Sequence, residues 1–167
     1  MQETAQQYTK RILSHSEGTD PMQLLESAPG KLASLLAGRS KEQLARRAAP
    51  EKRSAGEIAA HLSDTEIALG WRIRQILATN SIRLQAFDQD AWASTFDYAH
   101  RDPATSIELF SVLRAANVAL LKSVPEKLWE NYGVHEERGN ETVVHMIRLM
   151  AGHDLNHLRQ IEAIFGA

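Results

Sequence analysis

In the segment that follows Gly139-Asn140 and runs to about Phe165, the residues Val143, Ile147, Met150, Leu158, Ile161 and Phe165 keep helical spacing. At ~100° per residue they fall on one arc, so the segment predicts a long helix with a single apolar stripe. Such a helix is stable only when that stripe is buried against other elements. The rest of the chain offers more helices. Ser54-Ala55-Gly56-Glu57 carries the capping-box pattern, and Ile58, Leu62, Thr65, Leu69, Ile73 and Ile76 follow at helical spacing toward an end near Thr79-Asn80. Asp102-Pro103 opens a third helix that runs through Ile107, Phe110, Leu113, Val118 and Leu121 to Val124-Pro125. Asp20-Pro21 opens another, reaching about Gly38, with a kink or restart expected at Pro29-Gly30.

The connectors are less regular. Residues 3–14 predict a marginal first helix, and Ser40–Ala49 reads as a short turn closed by Pro50. Residues 81–102, with Phe87, Trp92 and Tyr98, form a connector long enough to be functional or to hold its own short helix. A loop with Trp129, Tyr132 and His135 leads into the last helix. Aromatic residues are only 6% of the chain, which disfavours a sheet sandwich. The expectation is one all-α domain over residues 1–167, an antiparallel four-helix bundle with an additional short N-terminal helical segment.

Charge narrows the function. Lys and Arg number 19 against 21 Asp and Glu, a formal net charge of -2. Arg46-Arg47 and Arg72/Arg74 are too sparse for a phosphate-tracking stripe, so no nucleic-acid partner is expected. No apolar run is expected to approach the ~20 residues that span a bilayer. Met1-Gln2-Glu3-Thr4 lacks the basic and apolar regions of a signal peptide, which points to a soluble cytoplasmic protein.

The chain has 7 His and no Cys. Thiolate metal sites, disulfides and a cysteine nucleophile are thereby excluded, and soft-metal chemistry must use imidazole. His153 and His157 are spaced i, i+4 on the last helix, at the edge of its stripe, so both imidazoles can reach one ion. His61 sits at the edge of the stripe on the helix that begins at Ser54. It can meet the pair if the two helices face each other. Three protein ligands leave room for water or substrate. The plainer alternative makes His61 a hydrogen-bonded core residue and the His-x-x-x-His spacing a coincidence. His-Glu-x-x-His is absent, as is a pair of Glu-x-x-His segments, which disfavours a zinc-protease or di-iron site. His145 points away from the stripe, and His15, His100 and His135 are expected at the surface.

Four polar residues lie close to this constellation. Asp154 falls in the middle of the apolar arc and needs a partner, either a ligand imidazole or a structural one such as Arg72. The alternative for Arg72 is a snorkelling side chain. Asp64 flanks His61, and Gln160 follows His157 by three positions, so either could relay a proton or orient a ligand. Trp71, Trp92 and Trp129 are candidates for a pocket wall or for plain packing. The residues assign no catalytic side chain.

The segments from Ser54 through His61 to Trp71, and Gly152-His153-Asp154-Leu155-Asn156-His157-Leu158-Arg159-Gln160-Ile161, resemble the DinB/YfiT-like superfamily over roughly residues 20–165. That resemblance implies a four-helix bundle holding a divalent ion, often nickel or zinc, on His61, His153 and His157. It implies homodimers and small-molecule chemistry that includes S-transfer with low-molecular-weight thiols such as bacillithiol and mycothiol. Since the chain has no Cys, any sulfur nucleophile would come from the cosubstrate. A metal-dependent hydrolase using the same site is the near alternative, and a non-catalytic metal-binding or dimerisation module the more distant one.

Overall fold

The structure, a computed structural model, describes residues 3–166. Its helices are α1 (Ala5–Ser14), α2 (Pro21–Leu36), α3 (Lys41–Leu44), α4 (Ala55–Ala78), α5 (Gln89–Thr95), α6 (Pro103–Ser123) and α7 (Val143–Phe165). The start signals at Ser54, Asp20 and Asp102 are used, whereas the last helix begins at Val143 and not directly after Gly139-Asn140, because Gly139–Thr142 is extended. Ser54 and Glu57 form both capping-box hydrogen bonds, and Asp20 and Asp102 cap helices that carry proline in their first turn. Thr142 caps α7 and Gly166 closes it in the left-handed conformation.

Helices α2, α4, α6 and α7 form the expected bundle, packed in the cyclic order α2–α6–α4–α7. Its chain directions are specific. Gly56 lies against Pro103 and Gly70 against Asn117, so α4 and α6 run parallel. Leu24 and Leu25 share a core cluster with Met146 and Met150, and Leu32 and Leu36 share another with Leu158 and Ile161, so α2 and α7 are parallel as well. The two pairs run antiparallel to each other. A parallel α4/α6 pair requires the chain to travel the length of the bundle between them, which accounts for the long connector and its helix α5.

The core has two apolar layers. One is built around Leu25, Ile73, Ile76, Leu121 and Met150, the other around Leu32, Ile58, Leu62, Phe110 and Ile161. Between them on the chain lie the polar residues Glu66, Arg114, Asn117, His153, Asp154 and His157, all buried.

Three features depart from the sequence reading. Helix α2 runs unbroken through Pro29 rather than restarting there. Proline has no N–H for the Leu25 carbonyl one turn back, and Nη1 of Arg114 donates to that carbonyl at 3.0 Å instead. Secondly, α6, with 21 residues, is long and apolar enough to cross a bilayer, although no such run was expected. Here it packs against α4 and α2, with Arg114 and Asn117 on its buried face. Thirdly, the loops contain a small sheet of order β1-β2-β3. Strand β1 (Ile82–Arg83) pairs parallel to β2 (Tyr132–His135), and β2 pairs antiparallel to β3 (Gly139–Thr142). A Cβ on Gly133 would stand 2.6 Å from Leu84, so glycine allows this approach. His135 alternates inward on β2 and is buried, not at the surface as expected.

Candidate metal centre

His61 is presented by α4 and His153 and His157 by α7, two antiparallel helices in contact. Nε2 of His153 lies 3.1 Å from Nε2 of His61 and 3.2 Å from Nε2 of His157. All three rings are buried. Metal–nitrogen bonds of ~2.0–2.1 Å at octahedral or tetrahedral angles place neighbouring ligand nitrogens ~2.8–3.4 Å apart. The observed separations fall within that span. Among the described residues this is the one group of three His, Asp or Glu side chains close enough to share an ion.

Polar neighbours meet the far ring nitrogens of His157 and His61. Nδ1–H of His157 donates to Oε1 of Gln160 at 2.9 Å, which leaves its Nε2 lone pair facing the other two imidazoles. Nδ1 of His61 is 3.5 Å from the Thr65 hydroxyl, at the limit of a hydrogen bond. Burial, followed by the neighbouring imidazoles, pushes His61 and His157 well below the ordinary histidine value. Lone pairs crowded together without a charge are what a divalent cation satisfies.

Behind His153 lies a buried ionic cluster. Arg114 makes two hydrogen bonds to Glu66, at 3.0 and 2.7 Å, and a third to Asp154 at 2.6 Å. Asn117 donates to Glu66 at 2.7 Å. Oδ1 of Asp154 is 4.0 Å from Nδ1 of His153, within ion-pair reach though beyond a hydrogen bond. Burial pushes the Asp154 carboxyl up, but the charge and hydrogen bond of Arg114 outweigh it and hold the group below its ordinary value. Two carboxylates against one guanidinium leave an excess negative charge beside the histidines, which favours a cation there.

Several expectations about the surrounding residues change. Asp154 pairs with Arg114, not Arg72, because the α6 face opposite it supplies the nearer guanidinium. Asp64 is tied to Tyr98, at 2.8 Å, and Arg101, at 2.7 Å, which removes it from any proton relay at the histidines. Gln160 is hydrogen-bonded to the His157 ring. Trp71 is 58% exposed and lines no part of the site. Trp92 stacks on Phe87 and Phe96, and Trp129 packs on the core. His145 and His100 stay outside the cluster.

Glu66 and Arg114 had no place in the sequence reading. The signal was present, since Glu66 falls between Leu62, Leu69 and Ile73 on its wheel, and Arg114 between Phe110, Val118 and Leu121. Each stands in an apolar stripe, as Asp154 does. Charges placed that way are the ones that need one another.

The centre opens on two sides. A cleft of about 540 Å³ reaches His153, with Tyr8, Thr65, Arg72, Phe87 and His135 among its walls. A smaller one of about 360 Å³ reaches His157 past Tyr8, Arg53 and Gln160. Tyr8 belongs to α1, so the N-terminal helix is a wall of both.

Over 106 residues the chain is 26% identical to an Oceanobacillus iheyensis protein named "Putative metal-dependent hydrolase", covering 64% of this chain and 61% of that one. Over 140 residues it is 26% identical to a Bacillus licheniformis protein of the same description, covering 83% and 80%. The chain thus spans about three fifths of the first relative and four fifths of the second. In fold it is similar to Bacillus subtilis YfiT, described as "a probable metal-dependent hydrolase with an unusual four-helix bundle topology". The TM-score is 0.79 at 20% identity, over 98% of this chain and 90% of that one. The sequence profile of the DinB superfamily matches residues 24–161, from the first turn of α2 into the last turns of α7, and the chain belongs to that superfamily.

Proposed function

We infer that this protein is a metal-dependent hydrolase of small molecules, with the ion held by His61, His153 and His157. The carrying observation is the convergence of three buried Nε2 atoms beside a cleft that reaches solvent. Zinc or nickel held by these three imidazoles would supply Lewis acidity for activating water near neutral pH. The chain's own residues do the rest. Gln160 fixes the His157 tautomer, and the Arg114–Asp154 pair braces the α7 turn that carries His153. The cleft walls then orient the substrate against the centre.

Thiol-dependent transfer uses the same site with a cosubstrate thiol in place of water, since the chain supplies no Cys. Exposed Ile67 and Trp71 on α4 and Val112 on neighbouring α6 support association as a homodimer, which light scattering on the purified protein tests.

The functional test has two stages. Untagged protein is assayed for bound metal by elemental analysis, in wild type and in the three single His→Ala variants. About one ion per chain, lost in each folded variant, supports the centre, whereas unchanged content in all three overturns it. The metal-loaded protein then meets a panel of esters and amides, and separately thiols with an electrophile. Turnover in the first panel supports hydrolysis, turnover only in the second assigns transfer, and turnover in neither rejects both.

A further inference from the structure

We propose that Arg72 is an anion anchor, and that the substrate is an elongated small molecule carrying a carboxylate or phosphate at the end remote from the metal centre. Arg72 is buried, at 4% exposure, and lines the same cleft as His153. Among the described residues no carboxylate stands within ion-pair distance of it. The guanidinium donates one hydrogen bond, from Nη2 to the Gln85 carbonyl at 2.5 Å, and lies over the Phe87 ring at 5.4 Å from its centroid. A guanidinium has five N–H donors in a planar fork, and this one has most of them left for a ligand.

The contrast with the other interior arginine is informative. Arg114 is matched by two carboxylates and a backbone carbonyl. A buried cation without such a partner is unfavourable unless something else neutralises it. The other charged groups on the cleft leave Arg72 in that position. Arg138 is already matched by Glu141 through bonds of 2.6 and 3.0 Å. Asp88 is occupied in capping α5, and Glu137 is exposed to solvent. His135 adds a buried imidazole to the wall.

Helical geometry sets the substrate's shape. His61, Thr65, Leu69 and Arg72 lie on one face of α4, and the last three line the cleft. Eleven residues of helix separate His61 from Arg72, a rise of ~16 Å. An anion held by Arg72 therefore directs the rest of the molecule along α4, past Thr65 and Leu69, to the histidines. This assignment rests on the metal-centre reading for the position of the reacting end, while the anchoring itself does not.

The test titrates full-length protein, as purified, with glutarate, inorganic phosphate and neutral glutaramide by calorimetry, with metal content measured on the same samples. The expected result is that at least one anion binds wild type at least about tenfold more tightly than it binds Arg72→Gln. Glutaramide should bind weakly and equally to both, and added salt should weaken the anion. Glutarate alone assigns a carboxylate and phosphate alone assigns a phosphate. Where Arg72→Gln does not fold, Arg72→Lys is read in its place, with a loss of about threefold or more because the planar fork is gone. Failure of both anions to bind wild type at tens of millimolar, or binding within twofold in the variant, overturns the proposal. Anion binding in protein that takes up no metal refutes the metal centre and leaves the anchor standing.

Discussion

Gly152 lies directly against the main chain of Ile12, so closely that a Cβ at 152 would stand 2.1 Å from the Ile12 carbonyl oxygen. The contact docks α1 on α7 one residue before His153, and α1 in turn brings Tyr8 to both openings of the histidine cluster. The N-terminal helix is therefore part of the site's architecture, although it precedes the segment that matches the superfamily profile.

Gly152→Ala should displace α1 and leave the bundle folded. Overpacking of this kind costs roughly 1–3 kcal/mol. Hydrogen exchange should show lost protection over α1, with the amides of α4 and α6 unchanged. Equal protection of α1 in the variant and wild type would refute the docking role.

Breaking the buried ionic cluster should be far more damaging than any change at the surface. Arg114→Met leaves Glu66 and Asp154 facing each other without a cation, a loss of about 3–5 kcal/mol by denaturant titration. Asp154→Asn leaves the Glu66 pairing intact and should lose less stability. Its larger effect is expected on metal affinity, because the negative charge 4.0 Å from His153 is gone.

Gln160→Ala should weaken metal binding by about tenfold while leaving the melting temperature within a degree or two. The amide is exposed and touches His157 only through its ring N–H. A drop in stability with metal affinity retained would make Gln160 a structural residue instead.

Stability should fall on acidification below the ordinary glutamate range, partly through Glu141. Burial raises this carboxyl, but the Arg138 hydrogen bonds and charge more than offset that and hold its folded value below 4.5. A carboxyl depressed in the folded state binds fewer protons there than in the unfolded chain, so its contribution is full above ~4.5 and is lost as pH falls through the folded value. The slope is at most about 1.4 kcal/mol per pH unit for one group. Glu141→Gln should be less stable at neutral pH and show a shallower acid limb.

The local features of this protein were legible residue by residue. Ser54 and Glu57 announce a helix start because a capping box is made within four residues. His153 and His157 announce a shared ligand face because i and i+4 are stacked on any helix. The small sheet was not legible, because β1 pairs with β2 across about fifty residues of intervening chain and each strand is too short to show a pattern. The error at Pro29 had a similar origin. The lost helical hydrogen bond is visible in the sequence, while its replacement comes from Arg114 on another helix.

By itself, then, the sequence determined where most of the long helices lie, their buried faces, and one histidine on α4 and two on α7 on faces able to meet. All of these depend on spacings of a few residues. Tertiary structure alone decided that α4 and α6 run parallel, that Asp154 pairs with Arg114 and leaves Arg72 unmatched in the cleft, and that α1 walls the openings to the histidines. These depend on which faces meet across the bundle. Two buried charges are worth their desolvation only when geometry brings them together, and that geometry belongs to the packed chain as a whole.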